Sequence, residues 1–118
     1  MIEISSSTIA QLLYLVHSDP EELQEALGEL RAPDIAEALK ELPPDAAAKV
    51  MAALPFDLAV QVFDEPELTR HRCAIIQNID PSKVGLLIEA MSADQQADLF
   101  REVPADERNE LLARVREP

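Results

Sequence analysis

A four-point apolar stripe recurs at twelve-residue intervals through almost the whole of this chain. Blocks beginning at Asp19, Arg31, Pro43, Pro55, Leu68, Asp80, Ser92 and Pro104 are mostly apolar at their fifth, eighth, ninth and twelfth positions. The first three read Leu23/Ala26/Leu27/Leu30, Ile35/Ala38/Leu39/Leu42 and Ala47/Val50/Met51/Leu54. The last two read Gln96/Leu99/Phe100/Val103 and Arg108/Leu111/Leu112/Val115, so the fifth position is the weakest, and the register gains one residue near Glu67. The spacing i, i+3, i+4, i+7 is one face of an α-helix. Helices of roughly eight to ten residues do not persist alone in water. Neighbouring units must therefore stack to bury the stripe, and an all-α solenoid is expected.

Each block carries its own boundary signals. Proline at or near the head of a block suits the first helical turn, where its missing N–H has no partner to lose. Pro43, Pro55 and Pro104 also end the preceding helix, because the residue before a proline avoids α geometry. Asp34, Asp45, Asp57, Asp94 and Asp106 fall in first turns, where the helix dipole favours negative charge. Ahead of the array, Ser5-Ser6-Ser7-Thr8 offers a cap for a longer apolar helix through Ile9, Leu12, Leu13 and Val16. The expected division is a helix within residues 1–18 packing on a repeat array over 19–118, together one domain.

With 3% aromatics the core must be built from Leu, Ile, Val, Met and Ala. Two glycines and no Gly-rich turn speak against a phosphate-cradling loop. Met1-Ile2-Glu3 lacks the basic start of a secretory leader, and the longest apolar run, Leu12 to Val16, is far short of a membrane span. A cytoplasmic setting is expected. One cysteine, Cys73, excludes an internal disulfide. His71 lies two residues away, so the pair faces apart on a helix. A zinc site needs more ligands than His17, His71 and Cys73 can bring together, and packing is the expected role of Cys73. No base, nucleophile and oxyanion donors are grouped, so an enzyme is not expected.

The formal net charge is −13, unevenly spread. Residues 1–66 hold 13 acids against 3 bases, residues 67–91 hold 3 of each, and residues 92–118 hold 7 acids against 4 bases. Nucleic-acid binding requires a concentrated basic surface, and none is present. Cations and basic protein surfaces are the partners this charge admits.

On a helical wheel the third and seventh block positions lie opposite the stripe, one turn apart. Glu21/Glu25, Asp94/Asp98 and Asp106/Glu110 place two carboxylates there, whereas Asp45/Lys49 places opposite charges that could pair. Like charges at this spacing cost roughly 0.2–0.5 kcal/mol. Such pairs are either solvated surface or partial ligands for a hard cation, which takes one or two carboxylates and keeps several waters. Asp64-Glu65-Pro66-Glu67 reads as an irregular exposed connection and a lesser candidate. In the block at Asp80 the seventh position is Leu86. That makes the charge-neutral stretch 67–91 either more deeply buried or a protein contact.

The run Ala-Pro-Asp-Ile-Ala-Glu-Ala-Leu-Lys-Glu-Leu-Pro-Pro (32–44) resembles the cytosolic N domain of MgtE-type magnesium transporters. So does Met-Ser-Ala-Asp-Gln-Gln-Ala-Asp-Leu-Phe-Arg-Glu-Val-Pro (91–104). The resemblance extends over roughly residues 19–115. It implies a right-handed α-superhelix of short helices, armadillo-like and similar to modules of the flagellar rotor protein FliG. It further implies a magnesium-sensing regulatory domain on the cytoplasmic face of the membrane, followed in the family by CBS modules and a membrane pore, in a dimeric protein. Magnesium ions there bridge acidic faces of the N domain and the CBS modules and hold the pore shut.

Carried over residue by residue, the family's Ser-x-Asp-x-x-x-Asp falls on Ser92, Asp94 and Asp98, and the resemblance implies that Asp94 and Asp98 are magnesium ligands. A further acidic position of the family falls on Gln61, a weaker ligand, with Asp57 one turn earlier. The sequence ends at Arg116-Glu117-Pro118, about where a CBS module would begin, so weak binding of magnesium by this chain alone is expected. The alternative is a stand-alone helical-repeat adaptor that docks a partner through residues 67–91 without an ion role.

Overall fold

Where Leu42, Leu54 and Val103 precede a proline their backbones turn extended, with ψ of 151°, 146° and 132°. Each ends one helix as the next begins. A computed structural model describes residues 6–116, and every regular element among them is helical. They are α1 (Ser6–Ser18), α2 (Pro20–Gly28), α3 (Ala32–Glu41), α4 (Pro44–Ala53), α5 (Phe56–Phe63), a 3₁₀ turn (Pro66–Leu68), α6 (Arg72–Ile76), α7 (Pro81–Glu89), α8 (Ala93–Glu102) and α9 (Ala105–Arg116). Ser5 of the expected cap and residues 117–118 lie outside the described residues, as do the side chains of Leu111, Leu112 and Val115.

The caps are local and chemically distinct. Asp19 accepts from the Glu22 N–H at 3.2 Å ahead of Pro20. Asp34 accepts from the Arg31 N–H at 3.4 Å, and Asp80 from the Ser82 N–H at 3.0 Å ahead of Pro81. Asp19 and Asp80 satisfy first-turn donors that have no partner within their helices, and Asp34 reaches back to the N–H of the residue ahead of its helix. Helices α2, α3, α4 and α5 begin at residues 20, 32, 44 and 56, and α7, α8 and α9 at 81, 93 and 105. The block at Leu68 departs from this spacing. Leu68 closes the 3₁₀ turn, and α6 begins only at Arg72.

The apolar stripe faces inward. Leu23, Leu27, Ile35, Leu39, Val50, Val62, Phe63, Ile88 and Leu99 belong to one continuous buried cluster. Alanines 36, 38, 46 and 47 are buried with them. Helices adjacent in space are often next but one in sequence: α2 on α4, α3 on α5, α4 on α6, α6 on α8, and α7 on α9. Helix α1 packs on α2 and α4, burying Leu12 and Leu15.

The fifth position of the block holds the exceptions, and their chemistry is shared. Arg72, Gln96 and Arg108 all occupy it, and all donate to carbonyls near the preceding helix end. Gln96 Nε2 donates to Ile88 O at 2.8 Å and to Met91 O at 3.2 Å. Arg108 donates to Val103 O at 3.3 Å. A helix leaves its last four carbonyls without intrahelical partners, so a donor here replaces what the chain turn removes.

Candidate functional site

The site is built on the N-terminal end of α8. Ser92 is its cap, accepting from the Gln95 N–H at 3.4 Å. Asp94 lies in the first turn and is exposed. It shares an open cleft with Gln61 of α5, with Asp64 and Glu65 of the corner after α5, and with Arg31 ahead of α3. Asp94, the expected ligand, and Gln61, the residue at a family acidic position, thus meet across more than thirty residues of chain.

Asp64 is already engaged. Its Oδ1 accepts from the Ser92 N–H at 2.9 Å and from Ser92 Oγ at 3.1 Å. Of the connection 64–67, expected to be irregular and exposed, Pro66 and Glu67 are exposed and enter the 3₁₀ turn, while Asp64 and Glu65 are half-buried and Asp64 is clamped onto α8. Burial, followed by the neighbouring Glu67 and Asp64 charges, raises the Glu65 pKa above its ordinary 4.5.

Asp98 sits one turn beyond Asp94 on α8. Its carboxylate pairs with Arg101 at i+3, and its side chain is 34% exposed. The two expected ligands therefore differ in state, Asp94 open to solvent and Asp98 paired with a cation. No ion pair joins Asp45 to Lys49; among the described residues the ion pairs are Lys40–Glu37 and Arg101–Asp98. Glu21, Glu25, Asp106 and Glu110 are exposed. His71 and Cys73 flank Arg72 without forming a ligand group, and no cluster of three or more metal-ligating side chains occurs among the described residues.

Beneath the site lies a residue that sequence reasoning passed over. Arg72 is fully buried (0% exposed). Its Nε donates to Phe63 O at 2.8 Å, and its Nη2 to Glu65 O at 2.9 Å and Gln95 Oε1 at 2.8 Å. The guanidinium carbon lies 5.8 Å from the centre of the Phe63 ring, within cation–π range. Burial lowers the Arg72 pKa, and the Asp64 and Asp98 charges oppose that shift. One side chain thus ties the α5 corner to α8 and holds the walls of the cleft in register. A cation at a stripe position was the available signal.

Two fixed carboxylate positions on one helix face, one of them free, can take part in holding a hard cation but do not complete a coordination shell. Residues 30–117 match the family described as the MgtE intracellular N domain. Helices α1 and α2 precede the matched segment. No curated protein and no solved structure matches the chain significantly. No helix among the described residues is long and apolar enough to cross a membrane.

Proposed function

The chain belongs to the family of MgtE intracellular N domains, and from that premise we propose that it is the magnesium-sensing regulatory domain of a magnesium transporter, acting at the cytoplasmic face of the membrane. Asp94 and Asp98 supply two carboxylates one turn apart on α8, and an acidic face of CBS modules supplies the rest of the coordination. With magnesium bound across the two faces, the closed arrangement of the transporter is favoured. When magnesium falls, the open Asp94 carboxylate is left uncompensated against the opposing acidic face, and the domains part. Such a switch needs only that the cation bind one state better than the other.

The observation that carries this reading is the unequal state of the two carboxylates. Asp94 stands open at the mouth of the cleft, while Asp98 keeps Arg101 as an internal counterion. Arg101 occupies the carboxylate when magnesium is scarce and must be displaced when it is plentiful, which keeps the affinity low. The packing of alternate helices supports winding of the α2–α9 array into a right-handed superhelix, with the α8 face on its outer surface.

A magnesium titration followed by amide NMR tests the proposal on this chain, and magnesium-dependent gating tests it in a full-length transporter. Weak shifts centred on Asp94 and Asp98, abolished by Asp94→Asn with Asp98→Asn, are expected, as is loss of magnesium closure in the same double variant. Uniform shifts over every acidic helix, or unchanged gating in the double variant, would overturn it.

A further inference from the structure

Two large apolar side chains stay exposed on one groove: Phe56 at the start of α5 (53%) and Leu86 on α7 (59%). Both line a cleft of about 390 Å³ that also takes in Lys49, Asp80 and Lys83. Of the two readings of the charge-neutral stretch 67–91, deeper burial does not account for Leu86. The residue is not buried within the domain, although Leu87 and Ile88 beside it are.

Charge says what kind of surface fits there. The chain has three lysines, and two of them, Lys49 and Lys83, line this groove. Neither forms an ion pair among the described residues, in contrast to Lys40, which is held by Glu37. Asp80, the carboxylate among the lining residues, directs its Oδ1 to the Ser82 N–H and to Ser82 Oγ. Two lysines outside any ion pair, one of them (Lys83) with Asp80 nearby, thus stand beside two exposed apolar side chains on a molecule of net charge −13. Screening over about 8 Å at physiological salt lets this local pattern, rather than the overall charge, govern a close contact. A second copy docked face to face would bring identical lysines toward one another and two strongly acidic molecules together.

We infer that the α4–α5/α7 groove docks an acidic amphipathic helix of a partner polypeptide, with Phe56 and Leu86 receiving its apolar side chains and Lys49 and Lys83 its flanking carboxylates. Helix-in-groove contacts of this kind place anchors at i, i+3, i+4 and i+7 and set their specificity by rim charge. The inference uses no magnesium ligand and stands apart from the sensing role of α8.

The probe is a helical peptide of about 14 residues with leucine anchors at that spacing, made with glutamate flanks and, separately, with lysine flanks. Each is titrated without magnesium into the whole 118-residue chain. The glutamate peptide should shift the amides of Phe56, Lys83 and Leu86. Leu86→Gln should weaken its binding roughly tenfold, with helix content by circular dichroism unchanged because the side chain is exposed. Lys49→Glu with Lys83→Glu should reverse the preference toward the lysine peptide. Equal binding of the two peptides, a charge swap without effect, or self-association through the same residues in sedimentation would overturn the inference.

Discussion

Asp64 and Ser92, twenty-eight residues apart, are joined by two hydrogen bonds, Ser92 N–H and Oγ each donating to Asp64 Oδ1 at 2.9 and 3.1 Å. The carboxylate that looks free in the acidic run 64–67 is therefore structural, fastening the α5 corner to the start of α8. Ser92→Ala should cost about 1 kcal/mol as a lost cap, and Asp64→Ala a similar amount through the unpaired N–H. Because the two share one contact, the double variant should cost less than the sum, as read by urea denaturation.

Arg72 and Gln95 extend the same fastening below the surface. Arg72→Met leaves the Phe63 carbonyl without this donor, while Glu65 O keeps the Leu68 N–H at 3.0 Å, and at about 1–3 kcal/mol for a buried group lacking its partner the loss should be of that order. Arg72→Lys should not restore it, since an ammonium cannot reproduce the planar fork that reaches three acceptors. Thermal melts of the two variants check both statements.

Removing the counterion of Asp98 should strengthen cation binding. Arg101→Gln gives up a surface ion pair worth about 0.2–1 kcal/mol and frees the carboxylate. Magnesium affinity of the chain should then rise by roughly 1.4-fold to fivefold, the same energy expressed as a ratio, with little change in melting temperature. Titration calorimetry with and without the substitution decides this.

Asp80 and Glu65 give stability opposite dependences on pH. The hydrogen bonds from the Ser82 N–H and hydroxyl, with Lys83 nearby, hold Asp80 below its ordinary 3.8. Its contribution is complete above 3.8 and is lost as pH falls through the depressed value. Glu65 is raised above 4.5 by burial and by Glu67 and Asp64. Its folded form prefers the proton, so that stability is present below 4.5 and declines as pH rises through the raised value. Asp80→Asn should flatten the acid limb, and Glu65→Gln the limb just above pH 4.5, in denaturation midpoints taken across this range.

Cys73 should react slowly. Burial, then the Glu102 and Glu107 charges, push its thiol above the ordinary 9.0, and the thiolate is the reactive form. Iodoacetamide labelling at neutral pH should lag far behind that of the unfolded chain, and Glu107→Gln should speed it modestly.

Helix identity and helix limits were legible from residue order because their causes are local. Prolines 43, 55 and 104, the caps Asp19, Asp80 and Ser92, and the i, i+3, i+4, i+7 stripe all act within about one turn of the residues they govern. The block at Leu68 escaped this reading because a local rule gave way to a distant one. Arg72 stands where the stripe calls for an apolar residue, and its partners Phe63, Glu65 and Gln95 reach it from two other elements. The same holds for function. That Asp94 and Asp98 share a helix face follows from their spacing of four. That Arg101 at i+3 reaches Asp98 is local to α8 in the same way, whereas that Gln61, Asp64 and Asp94 line one cleft, and that Phe56 and Leu86 frame a groove with two lysines, were decided only when helices far apart in sequence packed together. Packing angles depend on the side chains of both partners at once, whereas a cap or a stripe depends on one segment alone.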